Sequence, residues 1–241
     1  KIENISWAYH NSKSDVLSDL SLTIYKGESV ALIGESGAGK TTLAMMMQEH
    51  FQAKLILEEF ADNPFLPKFY QDKEKYSFPL ELSFLADRYK QMKALLNTRD
   101  LFNQVTLSDY LFIKCKLFAK VNLPEDEYQL FNTLFEIILP NLPEPDLLIY
   151  LHAPIEKLTA NIKKRNRAYE QNMDTTYLEN LQHIYTQLLK SALYPTLIID
   201  TTQTDFLQHP THFKELLALL EHDYPKGLHY ATFSALEPSL F

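Results

Sequence analysis

Cysteine is almost missing from this 241-residue chain, where Cys115 stands alone. That excludes an internal disulfide framework and a thiolate metal cage, and it fits a reducing compartment. No apolar run reaches the roughly 18–20 residues that a helix needs to cross a bilayer, and no secretory-type leader opens the chain. A membrane is therefore not an expected partner, and the cytoplasm is the expected location. Basic charge is in deficit, with 23 Lys and Arg against 31 Asp and Glu. A net charge of −8 argues against non-specific nucleic-acid binding, which needs a basic face to displace counterions. The eight histidines show no spacing of the H-E-x-x-H kind, so no catalytic zinc is expected. Glycine is scarce too: there are five, and three of them fall within six residues.

What remains is 46 % hydrophobic, enough for one sizeable core with an appendage. Short apolar runs at 29–34, 54–58, 105–109, 147–152 and 196–200 have the length and composition of buried strands. Helical stretches alternate with them at 40–50, 73–97, 110–120, 124–139, 155–164, 174–193 and 212–222. This order predicts an α/β fold, a five-stranded parallel sheet with helices on both faces. In such sheets chemistry gathers at the carboxyl ends of the strands, which singles out Glu58 and Asp109. Residues 1–26 break the alternation. They are expected to form a β-hairpin ahead of a domain spanning 27–241, with strands at 1–9 and 20–25 and a polar loop at 11–15.

The clustered glycines lie in Gly34-Glu35-Ser36-Gly37-Ala38-Gly39-Lys40-Thr41, after a strand and before a helix. In that context glycines let successive backbone N–H groups face phosphate oxygens, helped by the helix N-terminus. Gly34, Gly37, Ala38, Gly39, Lys40, Thr41 and Thr42 are the expected phosphate contacts of a nucleoside triphosphate such as ATP. Lys40 would reach the β- and γ-phosphates, and the Thr41 hydroxyl would face Mg²⁺. The loop implies nucleotide binding and leaves the phosphate acceptor open.

Two resemblances meet in the chain. Residues 1 to about 43 resemble the start of an ABC-transporter ATPase domain. The residues that carry this are Lys1-Ile2-Glu3-Asn4-Ile5-Ser6, Val16-Leu17-Ser18-Asp19-Leu20-Ser21-Leu22 and the run from Lys26 to Gly34. Tyr9 falls where such domains place an adenine-stacking aromatic, and an ordinary hairpin aromatic reads the same way. No LSGGQ-type signature, glutamine loop or apolar strand ending in Asp-Glu follows, so an ABC ATPase fragment stays only an alternative. From about 55 to 233 the chain resembles the bacterial deoxyadenosine and deoxyguanosine kinases. This rests on Leu57-Glu58-Glu59-Phe60-Ala61-Asp62-Asn63-Pro64, Phe78-Pro79-Leu80-Glu81-Leu82-Ser83, Ser108-Asp109-Tyr110 and Lys164-Arg165-Asn166-Arg167. An engineered chimera and a natural fusion would both give such a sequence.

The second resemblance implies roles. Glu58 would take the proton of the attacking 5′-hydroxyl, with Glu59 the competitor that spacing to Asn63-Pro64 disfavours. Asp109 would hold Mg²⁺ together with Thr41. Relatives often have Arg after this acidic residue, whereas here Tyr110 follows, so one positive charge near the acceptor is missing or supplied elsewhere. Arg165 and Arg167 would form a lid over the phosphates; the basic run 163–167 also reads as a solvated helix end. Tyr70 and Glu170 would grip the 3′-hydroxyl. Glu81 and Arg88 share a helical face and would read the base, although Glu81 also reads as a satisfied helix residue. Where relatives often carry an acid, Cys115 removes a partner of Arg88. A carboxylate at 81 accepts two hydrogen bonds side by side, as guanine's edge offers, while a raised pKa would suit adenine. The implied activity is ATP-dependent phosphorylation of a purine deoxynucleoside, with dA and dG both open. A nucleotide-binding module of little activity is the other alternative. The stripe Tyr128, Phe131, Leu134, Phe135 and Ile138 reads as core or dimer seam, and the family implies a homodimer.

Overall fold

The computed structural model describes residues 2–7, 17–22, 27–58, 63–97, 105–166, 175–191, 193–206 and 209–233. Strands β1 (Ile2–Trp7) and β2 (Leu17–Leu22) pair antiparallel as the expected hairpin, in a two-stranded sheet of their own. The main chain of elements runs β3 (Glu28–Ile33), α1 (Lys40–Phe51), β4 (Lys54–Ile56), α2 (Leu66–Gln71), α3 (Lys73–Asn97) and β5 (Val105–Ser108). It continues with α4 (Lys114–Asn122), α5 (Glu125–Ile138), β6 (Leu147–His152), α6 (Ile155–Arg165), α7 (Thr175–Lys190), β7 (Pro195–Asp200), α8 (Pro210–Leu219) and β8 (Gly227–Thr232).

The sheet has six parallel strands in the order β4-β5-β3-β6-β7-β8, one more than the five expected. The extra strand, β8, pairs along its whole length with β7 at the sheet edge. Its sequence GLHYAT contains no apolar run, and Tyr230 is 75 % exposed, because an edge strand with one wet face needs little hydrophobicity. Helix α2 was also unforeseen; six residues are too few to show a 3.6-residue period.

Alternation along β3 splits the interior into two layers. Val30 and Leu32 face one side, with Leu43 and Met47 of α1, Leu158 and Ile162 of α6 and Leu216 of α8. Ala31 and Ile33 face the other, with Tyr185 and Leu189 of α7. A strand buried on both faces must be apolar throughout, which is why these central strands were legible. A separate cluster of Leu85, Cys115, Phe131 and Phe135 ties α3, α4 and α5 together, with Phe112 and Phe135 stacked at 5.3 Å. Of the predicted stripe on α5, Phe131 and Phe135 are core, whereas Leu134 is exposed.

Because β3 lies between β5 and β6, its carboxyl end opens at the centre of the sheet beside those of β4 and β5. The site is built there.

Candidate active site

After Ile33 the chain leaves β3 through backbone conformations that an L side chain rarely adopts. Gly34 has φ 147° and Gly37 φ 89°. A Cβ at either would lie 2.7 Å from a backbone oxygen, that of Leu151 or Leu158. The loop therefore packs directly on β6 and α6, and Asn161 Nδ2 donates to Gly37 O at 2.8 Å to hold it. Gly39, with φ 91°, stands at the N-cap of α1 and offers no side-chain cap, which leaves the helix's first-turn N–H groups for a ligand to satisfy. Lys40 Nζ donates to Glu35 O at 2.9 Å. Burial lowers the Lys40 pKa to about 8, and repulsion from Lys114 adds to this against the pull of Glu58, Asp109 and Glu35.

Three sequence-predicted residues meet at the strand ends. Thr41 Oγ1 donates to Asp109 Oδ2 at 2.6 Å, and the Glu58 N–H donates to Asp109 Oδ1 at 2.7 Å. Neither carboxylate ends a strand as expected. Asp109 is one residue past β5, and Glu58 two past β4, where the Asp109 N–H still reaches Ile56 O at 3.1 Å. The pairing stops early because Asp109 takes the Glu58 N–H onto its side chain. A tight turn follows, with Ser108 Oγ donating to Tyr110 O at 2.5 Å, so α4 starts at Lys114 and not at 110.

Glu58 is clamped at both oxygens. Arg88 Nη2 donates to Oε1, and Lys114 Nζ donates to Oε2 at 2.5 Å. These two cations outweigh its burial and hold its carboxyl well below the usual carboxylate range. Arg88 is itself buried, 4.9 Å over the Phe84 ring, and its Nη1 donates to Cys115 Sγ at 3.0 Å. Cys115 thus remains a weak acceptor for Arg88, and the expectation that this contact was lost is corrected. The strong partner is Glu58 on another element, a contact across thirty residues that no spacing rule reveals. Lys114 brings a positive charge against Glu58. Tyr110 itself turns inward and donates to Gln91 Oε1 at 2.7 Å.

Beyond Glu58 lies a cavity of about 110 Å³, with Tyr70, Glu81, Phe84, Arg88, Asn122 and Tyr177 among its walls. Phe69, Asn122 and Tyr177 also line an adjoining cavity of about 250 Å³. Glu81 is 1 % exposed, and its Oε1 accepts from Asn122 Nδ2 at 2.7 Å. Its Oε2 and the Nε of Arg88 have no hydrogen-bond partner among the described residues. Burial pushes the Glu81 pKa up to about 7, against the pull of Asn122, Arg88 and Lys114. Asn122, Tyr177 and Lys114 were missed from sequence because the relative rotation of α4 and α7 decides what they face. After β4, Asn63 caps the turn into α2 by accepting the Phe65 N–H at 2.9 Å, and its Nδ2 donates to Ser83 Oγ at 2.9 Å.

Arg165 ends α6 and donates to Ser36 Oγ at 2.8 Å, so it already lies against the phosphate loop. Glu59, Arg167, Glu170 and Tyr9 lie outside the described residues. Among the described residues no cluster of three or more His, Cys, Asp or Glu could hold a metal, and no helix is long and apolar enough to cross a membrane.

A glycine loop between β3 and α1, a neighbouring Thr-Asp oxygen pair and a clamped carboxylate facing a cavity define a phosphotransferase of the P-loop kind. Comparison with known proteins narrows the class. Residues 30–223 match the model of the deoxynucleoside kinase family, and the chain belongs to that family. It is 34 % identical over 197 residues to the deoxyguanosine kinase of Bacillus subtilis, covering 78 % of this chain and 94 % of that protein. Its fold matches the deoxyadenosine kinase of M. mycoides solved with bound dATP at a TM-score of 0.70 and 24 % identity, covering 80 % of this chain and all of that one. A short likeness of 43 % over 51 residues, 21 % of this chain and 9 % of that protein, links it to the ATP-dependent lipid A-core flippase of Coxiella burnetii. This loosely accords with the ABC-transporter resemblance.

Proposed function

We propose that the protein transfers the γ-phosphate of ATP to the 5′-hydroxyl of a purine deoxynucleoside, in cytoplasmic nucleotide salvage. The observation that carries this reading is the hydrogen-bonded chain Thr41–Asp109–Glu58. It sets the acceptor-side carboxylate against the phosphate loop on one side and the cavity lined by Glu81 and Arg88 on the other.

The loop N–H groups from Gly34 to Thr42 and the Lys40 ammonium hold the triphosphate. The nucleoside enters the cavity with its 5′-hydroxyl at Glu58. The new bond joins the 5′-oxygen to the γ-phosphorus, and the bond from that phosphorus to the leaving ADP oxygen breaks in line. The hydroxyl proton passes to Glu58. So low a carboxyl pKa makes Glu58 a weak base, and its first task is to orient the hydroxyl. A loose phosphoryl-transfer transition state asks for little proton removal before the new bond forms. Arg165 and, by resemblance, Arg167 close over the phosphates and neutralise charge that spreads onto them. Tyr70 lines the sugar end; Glu170 as its partner rests on resemblance alone.

Magnesium fits the donor set. Thr41 Oγ1 and Asp109 Oδ2 are hard oxygens 2.6 Å apart beside the loop, and Mg²⁺ takes one or two protein oxygens with phosphate and water completing the shell. When bound it neutralises charge on the β- and γ-phosphates.

Glu81 supports a purine. Glu81 lines the cavity with one oxygen on Asn122, and its other, buried oxygen has no hydrogen-bond partner among the described residues. Ionised it accepts from guanine's two donors, and protonated it matches adenine's donor and acceptor. A homodimer is supported by α5, where Leu130, Leu134 and Ile137 form an exposed apolar stripe. The N-terminal hairpin is read as an appendage to the kinase domain at 27–241.

The test is phosphorylation of the four natural deoxynucleosides, with Glu58→Gln as control. Product with dA or dG, strongly reduced in the control, supports the proposal. ATP binding without product from any nucleoside sinks it.

A further inference from the structure

Lys114 occupies a position that electrostatics alone disfavours. It is the first residue of α4, where the helix N-terminus repels a cation. Its side chain is only 11 % exposed, and its charge acts on Lys40 of the phosphate loop as a repulsion. A solvated surface lysine would turn away from all three. This one is held inward, with Nζ 2.5 Å from Glu58 Oε2 and 5.0 Å from the centre of the Phe118 ring one turn on. With Arg88 on Oε1, the two contacts leave the Glu58 carboxylate no freedom to rotate about its own axis. Tyr110 cannot share this task, since it is 2 % exposed and bonded to Gln91.

We infer that Lys114 is the positioning residue for Glu58, the cation that this chain places four residues beyond Tyr110, at the start of α4, to aim the carboxylate at the acceptor hydroxyl. The inference rests on the kinase reading above. Lys114 acts through Glu58: it fixes the oxygen that meets the 5′-hydroxyl, and it keeps one positive charge on the acceptor side of the loop while Lys40 serves the donor side. Removing it leaves Glu58 held at one oxygen, so the cost falls on turnover and not on ATP binding.

The experiment measures kcat and KM for ATP and deoxynucleoside in wild type, Lys114→Met, Lys114→Gln, Lys114→Arg, Glu58→Gln and the Glu58→Gln/Lys114→Met double variant. Lys114→Met is expected to lose roughly 10- to 150-fold in kcat, the worth of one charge-assisted hydrogen bond. Its KM for ATP should stay within about twofold, and Lys114→Arg should recover most of the rate. The double variant should be no slower than Glu58→Gln alone, because a residue that acts through another adds nothing once that other is gone. Losses that multiply in the double variant would overturn the inference, as would a Lys114→Met rate near wild type. If Lys114→Met does not fold, the Arg and Gln variants decide: Arg active with Gln slow supports it, and equal rates for the two overturn it. A wild type that phosphorylates no deoxynucleoside would refute the kinase reading, an outcome distinct from any of these.

Discussion

Lowering the assay pH should raise the protein's preference for deoxyadenosine over deoxyguanosine. The group responsible is Glu81, buried to 1 % exposure, with one oxygen on Asn122 and the other without a partner among the described residues. The groups around it are Arg88 on its own helix, Asn122, Lys114 and Cys115 on α4, Glu58 after β4, Tyr70 on α2 and Tyr177 on α7. Burial dominates and places its titration at about 7. Two pH units centred there change the ratio of protonated to ionised carboxyl by about 100-fold. A mismatched edge leaves a buried donor or acceptor unmet, which costs about 1–3 kcal/mol. The ratio of kcat/KM for the two nucleosides should therefore shift by roughly 5- to 100-fold between pH 6 and pH 8, towards dG as pH rises. Glu81→Gln offers one donor and one acceptor at every pH, so it should favour dA and flatten the profile. A wild-type ratio that does not move with pH, or a Glu81→Gln ratio that moves as much, would refute the reasoning. Stability carries the same signature. The folded pKa lies above the ordinary 4.5, so the native state holds the proton more tightly. Its contribution is complete below pH 4.5 and is lost as pH rises to about 7, a fall of roughly 3 kcal/mol that Glu81→Gln should remove in urea titrations.

Asp109→Asn keeps the side chain's shape but removes its charge and one of its two accepting oxygens. It should cost about 100-fold or more in kcat and raise the Mg²⁺ concentration for half-maximal rate, read from metal titrations. Gly37→Ala would press a methyl group against Leu158 O at 2.7 Å with φ at 89°, so nucleotide-dependent thermal stabilisation should disappear while the fold, followed by circular dichroism, persists. Leu134→Glu with Ile137→Glu places charge on the exposed stripe of α5 and should give monomers in sedimentation at micromolar concentration, without unfolding. Phe131→Ala, at 0 % exposure in the cluster of α3, α4 and α5, should cost about 3–5 kcal/mol in urea unfolding.

The parallel sheet was legible because β3, β6 and β7 are apolar on both faces, and the phosphate loop because strand, glycines and helix are contiguous in sequence. Local signals failed where a contact crosses the fold. Glu58, Asp109, Glu81 and Arg88 stand out in the sequence as candidates, but the contact between Arg88 and Glu58 does not, because thirty residues separate them. Lys114 fell inside the helix expected at 110–120 and looked like any polar helix residue, since the Ser108–Tyr110 turn that shifts the start of α4 to Lys114 cannot be read from propensity. Strand β8 escaped for the opposite reason, as an edge strand carries too few apolar residues to stand out. The roles of Arg167 and Glu170 still rest on resemblance.

The most direct measurement is transfer of labelled γ-phosphate from ATP to dA, dG, dC and dT by the purified chain, with Glu58→Gln assayed in parallel. The predicted result is labelled 5′-monophosphate from dA or dG, little from dC and dT, and at least about 100-fold less from the variant. Labelled inorganic phosphate alone, with no nucleoside product, would contradict the account. So would a Glu58→Gln variant that phosphorylates as fast as the wild type.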